Sequence, residues 1–557
     1  MIPLNIRDAV KLSSLHHSAR PALSFVDGEP FTYGKMLEEI IRLSLLLKKS
    51  GIQKGDKVAI LSRNCPQWGI SYLATVFTGA VVVPILPDFN KVEVSNILRH
   101  SEAKLVFVSD SLVQNVDFEN IAGLDFLYDI FSFSLINSKD KSWKQPESEK
   151  DFTVNSGLDL ELILGNVHED DLAAIIYTSG TTGSSKGVML SHKNIMSNVI
   201  ASSYVQMLYP EDRLLSLLPL SHTYECTIGF MLPLTHGSAI YYLDGPPVAG
   251  VLVPALQKIR PTIILSVPLI IEKIYRAKIA PKFKKGIMKN LVKVALLRKL
   301  FYRIAGRKLM KTFGGKLHFF GIGGALLDAE VEKFLFEARF PYAIGYGLTE
   351  TAPLLAGADP KETRYRSTGK ALVGQQLKLG NINPETGIGE ILAKGDNVMM
   401  GYYKDEAMTR KSFTEDGWFR TGDLAYVDEK GYFFIRGRSK NVILGSSGEN
   451  IYPEDIESVI NRHHLVLESV VYELKGKLVA KIHLNYEEVE NTYNKLKLSA
   501  QTMQQDVKSY IQDVLEEIKR NVNSEVNKLS RLNLVIEQPI PFDKTPTMKI
   551  KKYLYTS

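Results

Sequence analysis

The sequence predicts an α/β protein of at least two domains, with a large N-terminal part of several sheets with packed helices and a smaller α+β C-terminal part. Three observations carry this. The chain has 557 residues, more than one hydrophobic core usually organises. Short apolar runs that read as strands lead into glycine-rich loops near 172–187, 317–325 and 343–351, the strand-to-loop junctions of an α/β sheet. Near the C-terminus Val507, Ile511, Val514, Ile518, Val522, Val526 and Leu529 recur every three or four residues and mark one long amphipathic helix.

In chain order, Lys57–Leu61 and Val81–Pro84 read as early strands of the first sheet, and residues 146–155 as a polar loop with no chemistry in view. Leu172–Ile176 (Leu-Ala-Ala-Ile-Ile) has the run of a buried strand, so Thr178–Gly187 is expected to be a loop leaving it. Gly180, Gly183 and Gly187 let that loop turn its N–H groups inward. Thr178, Ser179, Thr181 and Thr182 add hydroxyl donors and Lys186 a mobile positive charge, which together is the chemistry a triphosphate requires. Gly187 follows Lys186 where a Walker loop has Ser or Thr, so a P-loop of that type is disfavoured.

Composition narrows the classes. Hydrophobic residues at 45% and charged residues at 23% fit a soluble globular protein, and no apolar run approaches the roughly 18 residues of a membrane span. The first residues lack a charged leader followed by an apolar core, so the expected location is the cytoplasm. Cys65 and Cys226 lie far apart without metal-ligand spacing and read as reduced and structural. The formal charge of +7 is local: 282–311 holds eleven Lys or Arg and no acid, and the rest of the chain carries 57 basic against 61 acidic residues. Within it Ile287, Leu291, Val294, Leu297, Phe301, Ile304 and Leu309 recur at mostly helical spacing, with Lys289, Lys293, Arg303, Arg307 and Lys311 elsewhere on the wheel. Two readings stand, a helix resting on an anionic membrane and a helix packed on its own domain with a solvated basic face. Nucleic acid is disfavoured, because no recognition motif accompanies the stretch.

Leu317–Phe320 suggests a strand running into Gly321-Ile-Gly323-Gly324-Ala325. After an expected helix, Ala343-Ile-Gly-Tyr346-Gly347-Leu-Thr349-Glu350-Thr351 repeats the pattern. Tyr346 offers a flat face for a base, Thr349 a hydroxyl, and Glu350 a hard oxygen ligand for Mg²⁺. Farther on stand Trp418-Phe-Arg-Thr-Gly-Asp423, the turn ending in Gly437-Arg438, and Gly445–Glu449; Asp423 can accept both ribose hydroxyls, and Arg438 can pair with ribose or phosphate oxygens.

These motifs, in this order over nearly the whole chain, resemble the adenylate-forming superfamily of acyl-CoA synthetases, peptide-synthetase adenylation domains and luciferases. Tyr177–Val188 matches its phosphate loop, Tyr346–Glu350 its aromatic-Gly-Leu-Thr-Glu loop, and Thr421–Asp423 its Thr-Gly-Asp turn. The resemblance implies the adenylate-forming fold, with an N-terminal domain over 1–437 and a mobile C-terminal lid over 438–557 hinged near Lys440. It implies that Thr178, Ser179, Gly180, Thr181, Thr182, Gly183 and Lys186 hold the ATP phosphates, that Gly323, Gly324, Ala325, Tyr346 and Gly347 flank the adenine, and that Asp423 and Arg438 hold the ribose. Glu350, with Thr178, would bind Mg²⁺, Thr349 would stand with Glu350 in the reaction centre, and Gly448 and Glu449 would belong to the face that forms the thioester with CoA. Lys544-Thr-Pro-Thr-Met-Lys549-Ile-Lys matches the family's Lys-Thr-x-x-Gly-Lys-Ile motif except at its glycine, which makes Lys549 the adenylation lysine.

The implied reaction is adenylation of a carboxylate followed by attack of a thiol, and it needs no protein nucleophile, in keeping with the lack of a Gly-x-Ser-x-Gly elbow. Leu218-Pro-Leu-Ser-His-Thr-Tyr-Glu225 resembles the form found in long-chain fatty acyl-CoA synthetases, and the basic insert at 282–311 also resembles long-chain members. His222 then either stacks near the acyl carboxylate or is a core histidine satisfied by backbone. Phe230–Pro233 either line an acyl tunnel or form core. An acyl carrier protein as acceptor, another hydrophobic acid as substrate, and a catalytically degenerate binding protein at the membrane remain alternatives, and the oligomeric state is open. Three positions depart from the family pattern: Ser185 for proline, Asn441 for an acid near the hinge, and Met548 for the glycine before Lys549.

Overall fold

The helix Pro66–Phe77 is apolar on almost every side and is buried at every position but Gln67, because it runs between two sheets. Pro66 opens it, where a missing N–H costs nothing. It packs on Lys57–Leu61 and Val81–Ile85 of one sheet and on Pro21–Phe25 of the other. Trp68 stacks on Tyr72, with ring centroids 5.5 Å apart, and meets Phe230 edge-on at 6.2 Å. Gly69 lets Phe230 approach, since a Cβ there would stand 2.7 Å from its ring.

The computed structural model describes residues 2–145, 161, 164–179, 185–444, 450–499, 507–545 and 550–556. The chain divides into two compact units, one of Met1–Lys378, Leu392–Thr421 and Asp428–Phe433, the other of Leu379–Ile391, Gly422–Val427 and Phe434–Ser557. The first sheet of the large unit runs in the order Gly401–Tyr402, Ser185–Ser191, Leu172–Ser179, Val81–Ile85, Lys57–Leu61, Ala103–Val108, Phe126–Asp129, Leu135–Ser138. Its central strands are parallel, with Lys57 opposite Val81 and Val58 opposite Leu105, and nearly wholly buried, which is why they read as continuous apolar runs. The second sheet runs Tyr342–Ile344, Phe319–Ile322, Ile263–Ser266, Arg213–Ser216, Ala239–Tyr242, Pro21–Phe25, Phe31–Thr32, and is parallel except at its last pair.

The smaller unit has its own core. The hairpin Val466–Leu474 and Lys477–Leu484 turns through Lys475 and Gly476, at φ 50° and 75°, the left-handed pair that a two-residue turn requires. Leu534–Glu537 adds a parallel strand, and the helices Pro453–Ile460 and Val507–Glu525 complete the layer. Ile511, Val514, Leu515, Ile518 and Val522 are buried along the expected stripe, while Val507 is exposed at the helix start.

Two expectations are corrected. The segment Thr178–Gly187 is not loop throughout: strand pairing continues to Thr178 opposite Lys186 and Ser179 opposite Ser185. The 282–311 segment is not one helix but the end of Ala280–Phe283 followed by Met288–Leu291 and Ala295–Thr312, and Ile287, Val294 and Ile304, which would be packed on the own-domain reading, are exposed. Tyr302, Gly306 and Leu309 face inward instead.

Within the smaller unit Lys552 Nζ lies 2.9 Å from the buried Glu457 carboxylate and 3.2 Å from Glu454, and Val471 N–H also donates to Glu457. Burial pushes the Glu457 carboxyl above its usual range, and Lys552 opposes that. Removing the ammonium leaves a buried charge unpaired, so Lys552→Met is expected to cost about 3 kcal/mol at pH 8. Because the folded carboxyl titrates above the unfolded one, protonation favours the folded state and the deficit shrinks toward pH 5. Calorimetry of both proteins at the two pH values checks this.

Candidate active site

The hairpin Leu172–Ser179 and Ser185–Ser191 carries the phosphate-loop residues of the large unit. Gly187, opposite Tyr177, has no room for a side chain: a Cβ would stand 2.8 Å from Ile175 Cγ2 and 3.3 Å from the Tyr177 ring. On the other edge of Ser185–Ser191 the short strand Gly401–Tyr402 pairs antiparallel, with Gly401 opposite Met189 and Tyr402 opposite Val188. This places the Lys186 ammonium 5.4 Å from the Tyr402 ring centroid and 3.6 Å from Met408 Sδ. The Tyr402 hydroxyl donates to Glu350 Oε1 at 2.8 Å. Lys186 and Glu350, 164 residues apart in sequence, therefore both engage Tyr402.

Glu350 sits in the single 3-10 turn Thr349–Thr351, half-buried with Thr349. Buried carboxamides brace that turn, Asn397 donating to Thr351 O at 2.8 Å and Asn198 to Leu354 O at 2.6 Å, while Met399 N–H donates to Glu350 O at 2.9 Å. Gly347 is obligatory, since a Cβ would fall 1.9 Å from Pro353 O.

The glycine turn and the aromatic loop leave neighbouring parallel strands at their carboxyl ends, where Ile322 faces Ile344. Gly323 is buried, Gly324 and Ala325 are exposed, and Gly324 has φ +88°. Tyr224 lies against this turn: a Cβ on Gly323 would stand 3.1 Å from its ring and one on Gly321 2.8 Å from its hydroxyl. Tyr224 N–H donates to His222 Nδ1 at 3.2 Å, which puts the proton of a neutral His222 ring on Nε2. Tyr346 is buried and its backbone pairs with Ala356.

Glu225 opens the π-helical turn Glu225–Met231, an uncommon element that recurs at functional sites. Asn64 donates to Ser216 Oγ at 3.0 Å and Ser216 donates to Glu225 Oε1 at 2.6 Å; Asn64 also donates to Leu218 O and accepts from Leu220 N–H. Gly229 leaves space for the carboxyl, which a Cβ there would meet at 2.7 Å. Beyond this turn lies an apolar cavity lined by Ile228, Leu232, Ile263, Leu265, Phe319 and Leu354. Phe230, in contrast, is core against Trp68 and Tyr72.

In the smaller unit Asp423 is buried and accepts from Arg438 Nε at 3.0 Å, while the Arg438 side chain is 52% exposed. Lys440 lies exposed in the short turn Ser439–Asn441, and Asn441 Nδ2 donates to Glu454 at 2.7 Å. Gly180, Thr181, Thr182, Gly183, Gly448, Glu449 and Lys549 lie outside the described residues.

A family profile described as AMP-binding enzyme matches residues 12–403. The chain belongs to the AMP-binding enzyme family. The chain is 28% identical to the long-chain-fatty-acid–CoA ligase FadD15 of Mycobacterium bovis, over 94% of this chain and 89% of that one. It is 26% identical to the chloroplastic long-chain-fatty-acid–[acyl-carrier-protein] ligase AEE15 of Arabidopsis thaliana, over 94% and 80% respectively. The crystal structure of the anthranilate CoA ligase AuaEII in complex with anthranoyl-AMP superposes with a TM-score of 0.75 at 20% identity, covering 99% of this chain and 97% of that one. The fold is thus that of the adenylate-forming enzymes.

Of the residues singled out in the sequence of this AMP-binding enzyme, Lys186 and Glu350 are brought together, Asp423 and Arg438 are paired, and His222 and Gly323 are linked through Tyr224. Tyr402, Asn198 and Asn397 escaped sequence reasoning, since each acts on a distant backbone or side-chain partner and belongs to no periodic pattern. The sequence shows Glu225 only as the last residue of the motif Leu218–Glu225, because burial, not spacing, sets its chemistry: burial lifts its carboxyl to about 8, against the pull of the Ser216 bond. A folded carboxyl titrating above its unfolded value favours folding at low pH and loses that contribution as pH rises through about 8. Glu225→Gln keeps the Ser216 contact and removes the titration, so its melting temperature is expected to fall less than that of the parent between pH 6 and pH 9, and equal slopes would contradict the neutral acid.

Proposed function

We propose that this AMP-binding enzyme is an ATP- and Mg²⁺-dependent ligase that activates a long-chain fatty acid as acyl-AMP and passes the acyl group to CoA. The observation that carries the reading is the convergence of Lys186 and Glu350 on Tyr402 beside a phosphate-loop hairpin. The donor set fits the metal. Among the described residues no three His, Cys, Asp or Glu side chains gather to hold an ion alone. Mg²⁺ is ordinarily held by one or two carboxylates together with substrate phosphates, so a lone Glu350, with Thr178 as the strand partner of Lys186, suits an ion that arrives with ATP. Bound Mg²⁺ would supply neutralisation of phosphate charge.

In the first step a carboxylate oxygen of the fatty acid bonds to the α-phosphorus and the bond to pyrophosphate breaks. Lys186 meets the departing phosphates and Lys549 the charge gathering on the α-phosphate. In the second the CoA thiol, giving up its proton, attacks the acyl carbonyl and AMP leaves. Thr349, the glycine turn with Ala325, Tyr346 and Gly347 position the nucleotide, and Asp423 and Arg438 its ribose. We place the domain boundary at 437/438 and the joint between the two half-reactions near Lys440, with Gly448 and Glu449 serving the thioester step. The long-chain assignment draws on the named activity of FadD15. The kinship with AEE15 supports a second reading, in which an acyl carrier protein is the acceptor.

ATP–pyrophosphate exchange across saturated acids of increasing length, with no thiol present, should peak with a long acid; no exchange with any acid would sink the proposal. Adding CoA or acyl carrier protein to the same assay identifies the acceptor. Tyr402→Phe keeps the ring under Lys186 and deletes the hydrogen bond to Glu350, which is expected to lower exchange roughly tenfold to a hundredfold with little change in melting temperature.

A further inference from the structure

The helix Ala295–Thr312 has one face fully accounted for. Arg298 grips the Glu337 carboxylate with Nε and Nη2, each at 2.8 Å. Tyr302 packs edge-on against Phe334 at 5.1 Å and Phe283 at 5.0 Å. Gly306 lets the helix Ala329–Ala338 come close, since a Cβ there would stand 2.9 Å from that of Ala338. Gln257 Nε2 ties down the last turn through the carbonyls of Lys311 and Thr312.

The opposite face is built of two adjacent rows. Leu296, Leu300 and Ile304, four residues apart, are 78%, 53% and 43% exposed. Beside them, also four apart, stand Lys299, Arg303, Arg307 and Lys311, all exposed. Ile287, 79% exposed, and Val294, 54% exposed, carry apolar surface on toward the preceding short helix, where Lys289 and Lys293 repeat the basic flank. Residues 282–311 hold eleven basic residues and no acid, and Lys284 and Arg298 are the two of these given ion-pair partners among the described residues, Glu330 and Glu337. A merely solvated basic face has no use for leucines at its centre, where their contact with water is unfavourable.

We propose that this face docks the protein on an anionic lipid bilayer, with Leu296, Leu300 and Ile304 entering the acyl boundary and Lys299, Arg303, Arg307 and Lys311 lying against the headgroup phosphates. The apolar row extends about 12 Å along a convex helix, the shape of a segment that lies in a membrane interface. The basic stems reach outward from it to the phosphate level. An acidic protein would satisfy the charges but would need a groove cut to receive the leucines, whereas a bilayer deforms around them. Among the described residues no helix is long and apolar enough to cross a membrane, so the contact is peripheral. This inference stands independently of the reaction proposed above.

The test is co-sedimentation of the full chain with vesicles of phosphatidylcholine alone and with one third phosphatidylglycerol. Binding is expected to the anionic vesicles only and to weaken with salt. Lys299→Gln/Arg303→Gln/Arg307→Gln should weaken it at least about tenfold. Leu296→Gln/Leu300→Gln should also weaken it at low salt, where charge alone would hold the protein. All five side chains are exposed, so both variants should melt with the parent. No binding by the parent, binding unchanged in both variants, or binding that the basic variant loses and the leucine variant keeps would each overturn the proposal, the last in favour of an acidic macromolecule.

Discussion

The antiparallel pairing of Gly401–Tyr402 with Ser185–Ser191 is the constraint on which the large unit's site depends. Two residues of strand set the register that puts one tyrosine ring beneath Lys186 and its hydroxyl on Glu350. Slipping it by one residue would turn Tyr402 to the other face of the sheet and leave lysine and carboxylate without a common partner. The register is pinned from outside the strand. Gly401, at φ +143°, leaves no room for a Cβ beside Thr409, whose hydroxyl accepts from Tyr402 N–H at 2.8 Å.

Much of this architecture was legible in the sequence because it depends on local chemistry. Val58–Leu61, Val81–Ile85 and Ala173–Tyr177 are buried on both faces and so are apolar without interruption, and Val507–Glu525 is half-buried and so is striped. What stayed hidden depends on distant partners. The hydroxyl-rich run 178–187 reads as loop by composition, yet its ends gain a strand partner across the hairpin. In Ala295–Thr312 the apolar residues satisfy helical spacing on two sides at once, so periodicity does not choose between them. Gly306 chooses, by admitting Ala338, and that contact spans 32 residues of sequence.

The same dependence links the core to Glu225. Asn64 stands just before the helix Pro66–Phe77, and its carboxamide begins the donor chain that ends on Glu225. A helix held between two sheets thereby fixes the segment Ser216–Glu225, on which His222 and Tyr224 stand. Burial lifts the Glu225 carboxyl to about 8, which disfavours charge beside the apolar cavity that follows. An aspartate would not reach Ser216 from the same backbone, and a charged group would draw water into the cavity wall.

The departure of Asn441 from the family's acid has a cause in the smaller unit. Glu454 accepts there from both Asn441 and Lys552, and its carboxylate also borders Gly437, where a Cβ would stand 3.1 Å away. An acid at 441 would add a third carboxylate to Glu454 and Glu457 around the single Lys552 ammonium. A carboxamide donates instead, and so ties residue 441 to the helix Pro453–Ile460 that carries Glu454. The exposed residues Arg438–Lys440 stand just before that tie, with Arg438 paired to the buried Asp423.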